Sequence, residues 1–201
     1  MPLIYQRNES NSNTDLSIQH PKARNMTPEI KSQSVSIRQL NQPGDLGWVI
    51  QANGEIYSAT LGWNTEFEAL VAKIVADYAV SHDAQREAAW IAVDERGNRL
   101  GSIFCVADER DKVHTAKLRI LLVDPRARGL GVVTRLVNEC LRFAKDVGYD
   151  RIVLWTTDVL ISARKIYEAA GFELIDTEEF EDFGQHHIGQ NWGKDLKKDL
   201  L

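Results

Sequence analysis

The 201-residue chain is expected to fold as α+β, with a mixed sheet that is antiparallel in its first half and parallel at its centre. Three observations predict this. Two strand-like runs, Ala88 to Val93 and Arg99 to Val106, flank a glycine-containing loop and read as a hairpin. A third apolar run, Ala116 to Val123, follows after a short connection. Strand, helix and strand then succeed one another with short loops, which requires a parallel pair with a crossover helix.

The ordered pattern begins at Val35, where Val35-Ser36-Ile37-Arg38-Gln39-Leu40 alternates apolar and polar as a half-buried strand does. Pro43-Gly44 ends it. Asp45 is placed to cap a short helix through Ile50, and Gln51-Ala52-Asn53-Gly54 reads as a turn. Asn64 or Thr65 caps the next helix. Its stripe is Phe67, Leu70, Val71, Ile74, Val75 and Tyr78, and it ends near His82. In the third strand Leu118, Ile120 and Leu122 share one face, while Lys117 and Arg119 take the other.

Asp124-Pro125 stops that strand. Val133, Leu136, Val137, Cys140, Leu141 and Ala144 then recur at helical spacing, with Gly148 as a C-terminal stop. Arg151 to Thr156 reads as a buried strand, and Val159 to Ala170 as a helix ended by Gly171. Phe172 to Ile175 and Gln190 to Leu196 are the last strands. An acidic loop carrying Asp176, Glu178, Glu179, Glu181 and Asp182 is expected between them.

Residues 1–34 hold 14 Asn, Ser, Gln and Thr, too polar a set to build a core, and are expected to be a flexible extension without a secretory signal. Residues 35–201 form the folded domain. The net charge of -5 argues against general binding to nucleic acid, which rests on neutralising phosphates. No stretch approaches the length of a membrane span. Cys105 and Cys140 sit among apolar neighbours, far apart, and read as buried free thiols in a reducing cytoplasm. No His, Cys or carboxylate spacing suggests a metal site. Nothing in the sequence distinguishes a monomer from a homodimer.

The segment that carries most chemistry is Val123-Asp124-Pro125-Arg126-Ala127-Arg128-Gly129-Leu130-Gly131-Val132-Val133-Thr134. It joins a strand to a helix. The first helical turn leaves backbone N–H groups unpaired, and these sit at the positive end of the helix dipole. Glycines at 129 and 131 let an anion approach the main chain without a Cβ in the way, and Arg126 and Arg128 add charge. A pyrophosphate suits such a cradle. No GxxxxGK[ST] or GxGxxG pattern is present, which argues against a P-loop or a dinucleotide fold.

With this turn in place, the sequence resembles the GNAT family, the Gcn5-related N-acetyltransferases. The family signature R/Q-x-x-G-x-G/A is approached by Arg128-Gly129-Leu130-Gly131-Val132-Val133. Its last position is Val133 in place of Gly or Ala. The register Arg126 to Gly131 also fits the letters, but the spacing from Pro125 and to Leu136-Val137 favours the first. A second signature, A-x-x-x-Y-x-x-x-G-F, is matched by Ala163 to Phe172 around Tyr167. Leu160 stands where the family often has Asn. The stretch from Ala116 to Leu196 further resembles the acetyltransferase half of bacterial proteins that fuse a MarR-type domain to a GNAT domain. Leu154-Trp155-Thr156 and Gly189-Gln190-Asn191-Trp192 carry that likeness.

The resemblance implies a GNAT fold and transfer of an acetyl group from acetyl-CoA to an amine. By resemblance, acetyl-CoA is held by Leu122, Val123, Arg128, Gly129, Leu130, Gly131, Val132, Val133, Thr134, Thr157 and Ser162. The family's fourth strand bulges and parts from the fifth near Leu122 or Val123, freeing a backbone N–H for the thioester oxygen. Tyr167 takes the position of the family's acid, beside the departing thiol. Where many members have a Glu base on the fourth strand, this chain has Lys117 and Arg119, either of which could steer an anionic group. Glu66, His114, Asp182, His186 and His187 are the remaining base candidates. Trp48, Tyr57 and Trp63 are placed to wall the acceptor mouth, toward which the acidic cluster could draw a cationic amine. The alternative is a non-catalytic CoA-binding sensor.

Overall fold

The structure, a computed structural model, describes residues 34–197. The readings made above for residues 1–33 and 198–201 lie outside them. The chain runs β1 (Val35–Gln39), α1 (Asp45–Leu61), α2 (Thr65–Ser81), β2 (Ala88–Asp94), β3 (Arg99–Ala107), β4 (Thr115–Val123), a short 3-10 turn (Pro125–Ala127), α3 (Val132–Asp146), β5 (Arg151–Thr157), α4 (Ile161–Ala169), β6 (Glu173–Asp182) and β7 (Gln185–Asp195). The seven strands form one sheet in the order β1-β2-β3-β4-β5-β7-β6. Only β4 and β5 run parallel, and α3 crosses between them. The expected α+β class and mixed sheet are both present.

Two apolar cores lie against the sheet. One gathers Leu136, Val137, Cys140, Ala144 and Tyr167 from α3 and α4 with Ile103, Leu118, Ile152 and Trp192. The other gathers Val49, Val71, Val75 and Tyr78 from α1 and α2 with Ile91 and Phe104. The amphipathic stripe of α3 thus buries against the sheet as its spacing predicts, and that of α2 does so except at Leu70, which is exposed and lines the cleft described below. Cys105 and Cys140 are free and buried. Among the described residues no helix is long and apolar enough to cross a membrane.

Three local expectations are corrected. The helix starting at Asp45 does not stop at Ile50 but runs to Leu61. Asn53 does not turn the chain, because its side-chain amide donates back to Val49 O at 2.8 Å. Gly54 lies inside the same helix, where a Cβ would stand 3.0 Å from Cδ at the flexible end of the exposed Glu68 side chain on α2. Asp45 is not the cap. Gly44, with φ at 87°, holds that position, and the fully buried Asp45 carboxylate binds Arg38, Arg99 and the Gln42 N–H. Burial works against this charge. The three sets of donors outweigh it and hold the carboxyl well below the usual carboxylate range.

The second correction concerns residues 176–182, which are strand and not loop. β6 reaches Asp182 and turns tightly into β7, which starts at Gln185. The acidic residues fall on both faces of this edge strand, where charges stay solvated.

The third concerns β4. Leu118, Ile120 and Leu122 do not share a face. β3 pairs Phe104 with Arg119 but Ser102 with Leu122, so Ile120 and Leu121 together oppose Ile103. This bulge lies earlier than the expected Leu122 or Val123. Ile120 takes φ of 51°, a conformation β-branched residues rarely adopt. Leu118 belongs to the α3 core, whereas Ile120 packs on the α1–α2 core and Leu121 returns to the α3 side. An inserted residue reverses the alternation. Apolar residues on both sides of the insertion hide it in the sequence.

Candidate functional site

The β4–β5 ladder ends at Leu118 paired with Leu154, one residue short of Arg119 and two short of the bulge. Beyond it β5 continues along β7, through Trp155 to Thr157, while β4 stays with β3. The two central strands therefore part. Asp124 N–H donates to Leu100 O at 2.8 Å. By antiparallel alternation Leu122, paired with Ser102, also addresses β3, and Val123 and Leu121 turn their amides away from it, toward the gap.

The gap leads to the glycine turn. Gly129 and Gly131 have φ of 79° and 68°, and a Cβ at either would meet nothing within 4 Å. Gly131 is the N-cap of α3, without a side-chain cap. Arg135 is the first residue of α3 to pair its N–H, on Gly131 O at 3.1 Å. The N–H groups of Val132, Val133 and Thr134 precede it and have no intrahelical acceptor. Leu130 lies between the two glycines, its N–H on Ala127 O.

The two arginines of the turn differ. Asp124 accepts from the Arg126 N–H and from its guanidinium at 2.7 and 2.9 Å, so Arg126 is folded back into an exposed ion pair. Arg128 is exposed and makes no ion pair among the described residues. Thr157 ends β5 fully buried, with no partner for its hydroxyl. Ser162 lies exposed in the first turn of α4. An open turn, three unpaired amides and an orphaned hydroxyl fit a ligand with phosphates at one end and amides along its length.

A cleft of about 1010 Å³ opens on the α1–α2 side. Its walls include Tyr57 and Trp63, Lys117 and Arg119 from β4, Tyr167 from α4, and Asp176, Glu178 and Asp182 from β6. The strand period explains the last set, because 176, 178, 180 and 182 share one face while Glu179 and Glu181 point away. Of the base candidates, Glu66 and Asp182 line the cleft. His114 sits elsewhere, 3.1 Å from Asp150. His186 is exposed near Glu179. His187 is buried against Trp63, Phe180 and Phe183, with no partner on either ring nitrogen. Trp48 packs on the α1–α2 core instead. Tyr57 stacks on Trp63 at 4.9 Å.

Tyr167 is buried, its ring edge-on to Phe172 at 5.9 Å. Burial, with Tyr57 and Cys140 nearby, pushes its hydroxyl above the ordinary tyrosine value. Burial likewise raises Tyr57, to about 12. Tyr167 therefore stays protonated at any physiological pH. Full transfer of its proton to a thiolate is also harder than the unperturbed value of about 10 suggests, because each unit of mismatch costs about 1.4 kcal/mol.

Sequence reasoning missed Asn53, Arg110, Trp155, Phe180, Phe183 and Asn191, which also line the cleft. Asn53 gave a signal, a polar residue on an otherwise apolar helix face, but it reads equally as a turn. Asn191 lies on β7 beside Gln190, and its amide donates to Asp176 at 2.7 Å.

Residues 55–172 match the family model of the acetyltransferase (GNAT) family. The N-acetylaspartate synthetase of Xenopus tropicalis is 38% identical over 99 residues, which is 49% of this chain and 33% of that protein. The N-acetyltransferase 8B of Homo sapiens is 31% identical over 86 residues, 42% of this chain and 37% of that protein. The matched stretch thus spans about a third of the length of each relative. Among solved structures, spermidine N-acetyltransferase from Vibrio cholerae in complex with CoA and spermine aligns with a TM-score of 0.62 at 20% identity. That alignment covers 83% of this chain and 98% of the other, and it concerns the fold alone.

Proposed function

The chain belongs to the acetyltransferase (GNAT) family, and on that premise we propose that it transfers the acetyl group of acetyl-CoA to a primary amine by direct attack. The observation that carries this reading is the parting of β4 from β5 at Leu118, directly before a glycine turn that ends in an uncapped helix. Bound acetyl-CoA supplies an activated acetyl thioester. The N–H groups of Val132, Val133 and Thr134 would hold its pyrophosphate, with Arg128 beside them. The amides of Leu121 and Val123 would pair along the pantetheine arm and toward the thioester oxygen, Leu122 keeping the strand anchored to β3. Thr157 and Ser162 would complete the far wall.

The Tyr167 hydroxyl would donate a hydrogen bond to the sulfur as the C–S bond breaks. The proton lost by the amine would pass to Glu66 or Asp182, directly or through water. This reading places the chemistry in residues 35–201, leaves 1–34 as an extension, and favours a reducing cytoplasm because two thiols are free and buried. The likeness to MarR–GNAT proteins rests on two runs that the sheet pairs with each other, Leu154 to Trp192, Trp155 to Asn191 and Thr156 to Gln190. The name N-acetylaspartate synthetase supports including amino acids among the acceptors tested.

The test is release of free CoA thiol from acetyl-CoA across a panel of amines and amino acids, beside calorimetric titration with acetyl-CoA. Binding with turnover on at least one amine is expected. No binding at millimolar ligand would overturn the reading.

A further inference from the structure

Two partly buried arginines, Arg119 and Arg164, make no side-chain hydrogen bond or ion pair among the described residues, and of the two Arg119 lines the cleft. Arg38 and Arg99 bind the Asp45 carboxylate, and Arg86 donates to Val113 O and stacks on Tyr149. Arg119 projects from β4 into the cleft and, among the described residues, makes no hydrogen bond or ion pair. Burial depresses its pKa, and Glu109, Asp77 and Asp108 pull it back only from a distance. A partly desolvated cation without a counter-ion is costly, and an incoming anion relieves that cost.

Two further cations line the cleft beside it. Lys117 precedes it by two residues on the same strand face and lines the same cleft, with Asp108 no nearer than 3.8 Å. Arg110 lines the cleft from the β3–β4 connection. The carboxylates Asp176, Glu178 and Asp182 come from β6 instead. The cleft is therefore bipolar. The phosphates have another seat: the α3 N-terminus is a dozen residues further along the chain, beyond the end of β4.

We propose that Arg119, with Lys117 beside it, binds a carboxylate on the acceptor, so that the acceptor is a small amine carrying its own carboxylate. The β6 carboxylates then receive the ammonium end. A guanidinium suits a carboxylate because it offers two parallel N–H donors. A polyamine would meet repulsion at the same place. This inference rests on the acetyl-transfer reading and assigns the specificity of that site.

The test compares free L-amino acids, L-aspartate included, with their carboxamides and with spermidine as acceptors, for the wild-type chain, Arg119→Gln and Arg119→Lys. The free acids are expected to be preferred over their amides by about 30- to 100-fold in kcat/KM, the low end of the cost of losing one charged partner of such a pair, because Arg119 is only partly buried. Arg119→Gln should erase that preference mainly through KM, and Arg119→Lys should restore part of it. CoA affinity should stay unchanged in both variants, and the thermal midpoint should not fall in either, since Arg119→Gln removes a partly desolvated charge. Equal use of acids and amides by the wild-type chain, preference for spermidine, or an unaltered ratio in Arg119→Gln would each overturn the inference while leaving acetyl transfer intact. A loss of CoA affinity in Arg119→Gln would assign the residue to the cosubstrate. Acetyl-CoA binding with no amine acetylated would instead refute the transfer reading itself.

Discussion

Replacing Gly131 separates the cradle from the backbone that builds it. Gly131 stands at the N-cap of α3 with φ of 68°, and a Cβ there would point into open space. Two consequences follow for Gly131→Ala and Gly131→Asp, and they run in opposite order. Holding a residue with a Cβ in the left-handed region costs about 1–2 kcal/mol, less for Asp than for Ala because a short polar side chain can bond locally. Asp at a helix N-terminus also gains from the dipole. The alanine variant should therefore melt lower, by about 2–6 °C for a chain of this size, and the aspartate variant by less.

CoA affinity should rank the other way. A carboxylate about 4 Å from a phosphate oxygen repels it by about 1 kcal/mol in water-like surroundings and by about 4 kcal/mol at the effective dielectric of a protein surface. Gly131 is exposed, so the lower part of that range applies, near 2 kcal/mol, or about 30-fold in Kd. The alanine variant should bind within a few-fold of wild type. Calorimetric titration with CoA measures both, and repeating it near 1 M salt should shrink the aspartate penalty as screening shortens to about 3 Å. Equal CoA affinity in the two variants would refute the placing of the phosphates at this helix end.

Three other perturbations address separate parts of the molecule. Tyr167→Phe should lower kcat by about 10- to 100-fold, the low side of acid–base effects because the hydroxyl is a poor proton donor, with CoA affinity unchanged by calorimetry. Asn64→Ala removes the acceptor of the Glu66 N–H at 2.9 Å and should cost about 1 kcal/mol in urea unfolding. Asp45 has a depressed folded pKa, so its contribution is complete above the unfolded value near 3.9 and declines as pH falls below it, by about 1.4 kcal/mol per unit at most. Asp45→Asn should accordingly destabilise at pH 7, and its deficit against wild type should narrow by about 1 kcal/mol between pH 4 and pH 3, as denaturant melts at each pH would show.

The parts of the fold legible in the sequence are those in which one residue type has one reason to be where it is. The α3 stripe and, Leu70 apart, the α2 stripe bury as spaced, Asn64 caps, and His82 ends α2. The glycine turn was legible because two glycines between a strand and a helix have few other uses. Legibility fails where two readings share the same letters. Asn53-Gly54 reads as a turn, but the two residues lie inside the continuous helix α1. Glu, Asp and Thr between 176 and 182 read as loop, and only pairing with β7 makes them a strand. For the site, Lys117 and Arg119 were legible as one face. That Arg119 lacks a counter-ion was not, because the distances from Asp77, Asp108 and Glu109 depend on how α2 and the β3–β4 connection pack.

The bulge on β4 couples these facts. Before it, Ala116 and Leu118 feed the α3 core, so Lys117 and Arg119 must face the α1–α2 side, where the cleft lies. A regular strand would continue that phase, send Ile120 to the α3 core and keep β4 parallel to β5 along its length. The extra residue reverses the phase, which sends Ile120 to the α1–α2 core and turns Leu121 and Val123 back to the α3 side. It also coincides with the end of the β4–β5 ladder, so those amides are left without strand partners in the gap. A β-branched residue at φ of 51° costs on the order of 1–3 kcal/mol. The packing of the Ile120 side chain on the second core opposes that cost, since a glycine there would relieve the strain but lose the contact. The acceptor-side cations, the parted strands and the free amides are thus one structural decision, made by a single residue that periodicity cannot reveal.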